Sequence, residues 1–91
     1  MLSEHDLKII GEYIGTGMAG ALEDSSRAST KEFNGFYERL KYQRDFGLIS
    51  EAEFYERLEA LRDQFFKEGT DNWVKYTLDI YNYQESISTG A

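Results

Sequence analysis

A chain of 91 residues without proline or cysteine has room for one small domain, and it holds neither disulfides nor thiolate zinc sites. Seventeen acids against ten bases give a net charge of −7, which argues against general nucleic-acid binding and against attraction to an anionic membrane surface. Hydrophobic residues at 41% and aromatics at 15% exclude a disordered chain and promise a core.

A domain of this size buries a modest share of its surface, so self-association is a common remedy. No run of about 20 apolar residues is present, so no membrane span is expected. Glu4 and Asp6 near the start are unlike the basic-then-apolar pattern of a secretory signal.

The first expected unit, residues 1–24, is a glycine-rich helix. Leu7, Ile10, Ile14, Gly17 and Ala21 recur at helical steps, and Ser3 with Asp6 resembles a capping box. Gly11, Gly15, Gly17 and Gly20 each cost up to about 1 kcal/mol in a helix. Two readings of this density stand: Gly11 and Gly15 allow close helix packing, or the segment is simply flexible. Residues 25–29 read as a linker.

Residues 30–68 are expected to form an antiparallel helical hairpin. Its first arm, about 30–46, opens on a capping box between Ser29 and Glu32 and carries Phe33, Phe36, Tyr37, Leu40 and Arg44 on or beside one face. Gly47 suits the left-handed conformation that ends a helix. Leu48 and Ile49 supply apolar contacts across the turn. Ser50 with Glu53 caps the second arm, and Ile49 with Phe54 is placed for a hydrophobic staple. In that arm, about 51–67, Phe54, Leu58, Leu61 and Phe65 form the core stripe, with Glu53–Arg57 and Asp63–Lys67 as i, i+4 pairs. Residues 27–46 carry five bases against three acids and residues 47–68 six acids against three bases, so the arms differ in sign. An antiparallel pair brings them together, though exposed pairs contribute only ~0–1 kcal/mol.

Residues 69–91 hold the last helix and a frayed tail. Gly69 ends the preceding helix, and Thr70 or Asp71 caps the next. Trp73, Tyr76, Ile80, Tyr83 and Ile87 then step three, four, three, four, two heptads of an a/d seam that predicts self-association. A single rod over residues 4–46 is the alternative to two separate helices.

No residue pattern points to catalysis, a metal or a cofactor. His5, the one histidine, lacks partners at ligand spacing and reads as a solvated residue. Glu51, Glu53, Glu56 and Glu59 complement a helix dipole or face Arg57 and Arg62. The glycines of "GEYIGTGMAG" follow no strand and precede no Gly-Lys-Ser/Thr, so they form no phosphate loop. Trp73, Tyr76 and Tyr83 suit packing better than base stacking in so acidic a chain. Of Phe65 and Phe66, on neighbouring faces, one suits the core and the other an interface. Tyr37, Tyr42, Tyr55 and Tyr81 are expected to be partly exposed, as on a surface that meets other chains.

The stretch "FYERLKYQRDFGLISEAEFYERLEALRDQFF", residues 36–66, resembles the short helical hairpin of the SHOCT type. That resemblance implies oligomerisation or interaction. The longer stretch Phe36–Gln84, with the glycine-rich "IGEYIGTGMAGAL", is similar to segments of bacteriophage tail tape measure proteins. It implies a non-enzymatic structural or assembly protein of a phage or prophage tail, found in the virion tail or in the host cytoplasm during assembly. The implied partners are further copies of the chain, in a trimer or larger, and other tail proteins. A protein–protein adaptor with a heterologous partner is the competing function. The expected fold is all-α: a hairpin with additional helices, in a coiled-coil-like oligomer.

Overall fold

The computed structural model describes residues 2–15 and 27–89, and these are all-α. Four helices follow one another: α1 (Glu4–Gly15), α2 (Arg27–Asp45), α3 (Glu51–Phe65) and α4 (Asp71–Thr89). Gly17, Gly20, Ala21 and the expected linker fall outside or at the edge of the described residues, as does the side chain of Ser29. The hairpin's first arm begins at Arg27, earlier than the expected residue 30.

The turn between α2 and α3 follows from local chemistry. Gly47 takes φ +73°, which only glycine adopts without strain. That conformation lets the Gly47 amide donate to the Arg44 carbonyl at 3.0 Å and the Leu48 amide to the Gln43 carbonyl at 2.8 Å. These two bonds make a Schellman motif and satisfy carbonyls at the end of α2. Three residues after Gly47, Ser50 opens a complete capping box. The Glu53 amide donates to Ser50 Oγ at 3.1 Å, and the Ser50 amide donates back to the Glu53 carboxylate at 3.4 Å. Ser3 and Asp6 form the same reciprocal pair at the start of α1, at 3.2 and 3.4 Å.

Contacts at opposite ends set the direction of each pairing. Phe33 at the start of α2 meets Phe65 at the end of α3, while Arg44 at the end of α2 lies over Phe54 at the start of α3. The hairpin is therefore antiparallel. α4 runs antiparallel to α3 in turn: Tyr55 stacks on Tyr83 at 4.2 Å, and Arg62 bonds Thr77. α4 also reaches α2 through the rings of Phe33 and Tyr76, 4.6 Å apart. α1 lies antiparallel against α4, tied by Leu2 to Gln84 and by Tyr13 to Asp71.

Phe33, Phe54, Leu58, Ile80 and Trp73 are almost fully buried where α2, α3 and α4 converge, and Val74 of α4 and Ile10 of α1 join the same core. Each such side chain contributes about 1.5–3 kcal/mol by leaving water. The molecule measures 39 × 37 × 17 Å. Among the described residues, α4 packs on one side of the hairpin, and a groove lined only by residues of α2 and α3 lies on another.

Two boundaries differ from expectation. α3 stops at Phe65, short of residue 67, because Phe66 turns extended at φ −123° and ψ 136°. Phe66 then becomes the core residue at 4% exposure, while the expected core residue Phe65 lies partly buried at its edge. Gly69, at φ +87°, belongs to the turn that follows and not to the helix end. In that turn the Thr70 hydroxyl donates back to the Lys67 carbonyl at 2.7 Å.

Candidate interaction surface

Most of the α4 stripe is spent inside the chain. Trp73, Tyr76 and Ile80 are 1%, 6% and 0% exposed, packed against α2 and α3. Tyr83 is partly buried against Tyr55, and Ile87 alone stands out, at 52% exposure. An a/d stripe records only that a helix buries one face. Here the face is buried against the chain's own hairpin.

The expected hairpin core is otherwise in place. Leu40, Phe54, Leu58 and Leu61 are buried, and Ile49 packs partly buried against the same cluster. Leu48 does not clasp the turn: it is 73% exposed, because the Schellman bonds hold its backbone while its side chain faces water. Gly11 and Gly15 are not sites of close packing. A Cβ at either position would meet nothing within 4 Å, since α1 turns Leu7 and Ile10, not its glycines, toward α4.

Three features of the surface remain. The first is the hairpin tip, where Tyr42 and Phe46 lie ring to ring at 4.5 Å, 65% and 64% exposed, beside the exposed Leu48. The second is the groove of the hairpin that α4 does not line. It is lined by Phe36, Arg39, Leu40 and Gln43 of α2 and by Arg57, Ala60, Leu61 and Gln64 of α3, with Leu40 and Leu61 the buried residues at its base. The groove has a volume of about 320 Å³. Phe36 carries Arg39 over its ring at 5.8 Å, and Arg57 reaches Glu53 at 3.8 Å. The ion pairs of Lys41, Arg44 and Arg57 each stay within their own helix, so the opposite signs of the two arms do not join them.

The third feature is a cleft on the α4 side, lined by Tyr37, Tyr55, Tyr83 and the carboxylate of Asp79. Loss of hydration raises the Asp79 pKa above its ordinary value, with Lys75 opposing the shift. Burial likewise raises the hydroxyls of Tyr37, Tyr55 and Tyr76, which keeps them protonated and unsuited to act as bases at neutral pH. Arg44 already lies over Phe54 at 4.2 Å beside this cleft.

The most consequential side chain was not singled out by the sequence reading. Arg62 is 1% exposed. Its Nη1 donates to Thr77 Oγ1 at 2.7 Å, its Nε to Asp63 Oδ1 at 2.9 Å, and its guanidinium lies 4.3 Å over the Trp73 ring. Asp6 of α1 approaches within 3.7 Å. Trp73 donates its indole N–H to Asp63 at 3.1 Å, so Asp63 serves this network and not the expected pair with Lys67. The network joins α1, α3 and α4. The spacing held the signal: Arg62 follows Leu58 by four residues and adjoins Leu61, which places it on the buried stripe. His5 also has a partner, Glu68 at 2.8 Å, an exposed contact between the start of α1 and the α3–α4 turn.

Among the described residues no group of three or more acidic or histidine side chains could hold a metal, and no helix is long and apolar enough to cross a membrane. The described residues thus present an apolar groove and an aromatic tip around a core that contains the buried Arg62. Comparison with protein families, with curated proteins and with solved structures finds no match to this chain.

Proposed function

We propose that this chain is a non-enzymatic assembly protein that works through helix–helix contact, as a structural component of a phage or prophage tail. One observation carries the contact role. The hairpin holds more large apolar side chains than the fold covers, leaving Phe36, Tyr42, Phe46 and Leu48 exposed. Clustered exposed apolar surface marks a site where another chain binds. The tail context rests on the resemblance of residues 36–84 to tape measure segments.

With Trp73, Tyr76 and Ile80 committed to the core, self-association falls to the tip, through Tyr42, Phe46 and Leu48. Light scattering across a concentration series tests it. A trimer or larger is expected, and its mass falls when Phe46 and Leu48 are replaced by serine. A monomer at the highest concentration overturns self-association. Tail-tube and portal genes beside the coding sequence are the expected genomic setting, and their absence counts against the tail.

A second reading, a protein–protein adaptor, is favoured by the groove. Arg39 of α2 and Arg57 of α3 line it in a chain of net charge −7. This local reversal of sign selects a partner unlike the chain's own average surface.

A further inference from the structure

The groove of the α2–α3 hairpin that α4 does not line has a shape and a charge that specify its occupant. Leu40 on one helix and Leu61 on the other form its buried base, and Phe36 and Ala60 add exposed apolar surface beside them. Phe36 to Gln43 and Arg57 to Gln64 each span about 10 Å, two turns of helix. That length accepts one apolar stripe at i, i+3 or i+4, and i+7. Leu40 and Leu61, at 9% exposure each, show a thin strip of apolar surface at its base. Arg39 and Arg57 flank the strip, one on each helix, and the other polar lining residues, Gln43 and Gln64, are neutral.

A second copy docking the same groove by a two-fold axis would bring two further arginines, and no acidic lining residue, to it. Like charges facing one another across an interface oppose it. The occupant therefore carries acids on both flanks of its apolar stripe. We propose that this groove binds an amphipathic α-helix of a heterologous protein, two turns of which present an apolar stripe flanked by glutamate or aspartate. This rests on the adaptor reading and names its partner class.

Glu53 already shares Arg57 at 3.8 Å, with both side chains about half exposed. A solvated pair of this kind contributes ~0–1 kcal/mol, so a partner carboxylate competes for Arg57 at little cost.

The test uses the full chain, labelled with ¹⁵N, and two synthetic helical peptides with the same leucine stripe. One carries glutamate flanks and the other lysine flanks. The glutamate peptide is expected to shift the amides of Gln43, Ala60 and Gln64 and to bind about tenfold more tightly than the lysine peptide, less so as salt rises. The double variant R39E/R57E changes only exposed lining positions and is expected to keep the thermal melt while reversing the preference. Equal binding of the two peptides, unmoved groove amides, or an unchanged preference in R39E/R57E each overturns the proposal.

Light scattering without peptide separates this from self-association. An oligomer that dissociates in R39E/R57E shows a second copy in the groove and overturns the heterologous occupant. A monomer that binds the glutamate peptide supports the groove and removes self-association.

Discussion

At the scale of single residues, Arg62 shows how a charge can be buried when each of its nitrogens has a polar partner. Thr77 and Asp63 accept its N–H groups, and Trp73 offers its ring face. Removing one partner of such a set leaves another stranded, and here Asp6, 9% exposed, loses its cation. Arg62→Ala is expected to cost about 3 kcal/mol in urea unfolding. Arg62→Met combined with Asp6→Asn removes both charges and is expected to cost clearly less.

Asp79 tests the opposite case, a half-buried carboxylate whose pKa is raised by desolvation. A raised carboxylate pKa means that the folded state takes up its proton first. Stability from this group is therefore present at acid pH and lost as pH rises through the folded value. Asp79→Asn is expected to raise the urea midpoint at pH 7, and the gain is expected to shrink as pH falls toward the ordinary carboxylate range.

At the scale of elements, two glycines separate backbone freedom from steric need. Gly35 lies inside α2 with open space where a Cβ would stand, so Gly35→Ala is expected to stabilise the chain by about 0.5–1 kcal/mol. Gly47 also has open space, but its φ of +73° strains any L side chain. Gly47→Ala is expected to destabilise by about 1–2 kcal/mol. Chemical denaturation of both variants checks the pair, and the opposite signs are the diagnostic result. Both ends of the turn were legible in the sequence because capping is a local matter of a few adjacent residues. The fate of Leu48 was not, since the contact it was expected to make depends on where the α2 side chains point.

At the scale of the whole molecule, burial of the α4 stripe changes what its mutation does. Ile80 has no exposed surface and packs in the core shared by α2, α3 and α4. Ile80→Asp is expected to unfold the chain, read as loss of the far-ultraviolet helical signal at 25 °C. A folded variant of lower mass would instead return Ile80 to an interface. Among the described residues the hairpin keeps a groove that α4 does not line, and that groove carries the proposed binding.

Local chemistry specified the helices, the Gly47 turn, the capping boxes of Ser3 and Ser50, and the burial of Phe54, Leu58 and Leu61 in α3. Each of these depends on neighbours within about one or two turns, and residue chemistry at that range is nearly self-sufficient. What each stripe meets depends on long-range packing. Periodicity states that Trp73, Tyr76 and Ile80 are covered, but covering by a second copy and covering by the chain's own hairpin make the same pattern. The same ambiguity hid Arg62, whose burial depends on Asp63, Thr77, Trp73 and a distant Asp6 converging from three helices. Which groove of the hairpin α4 leaves unlined depends on the side that α4 takes when the chain turns back at Gly69.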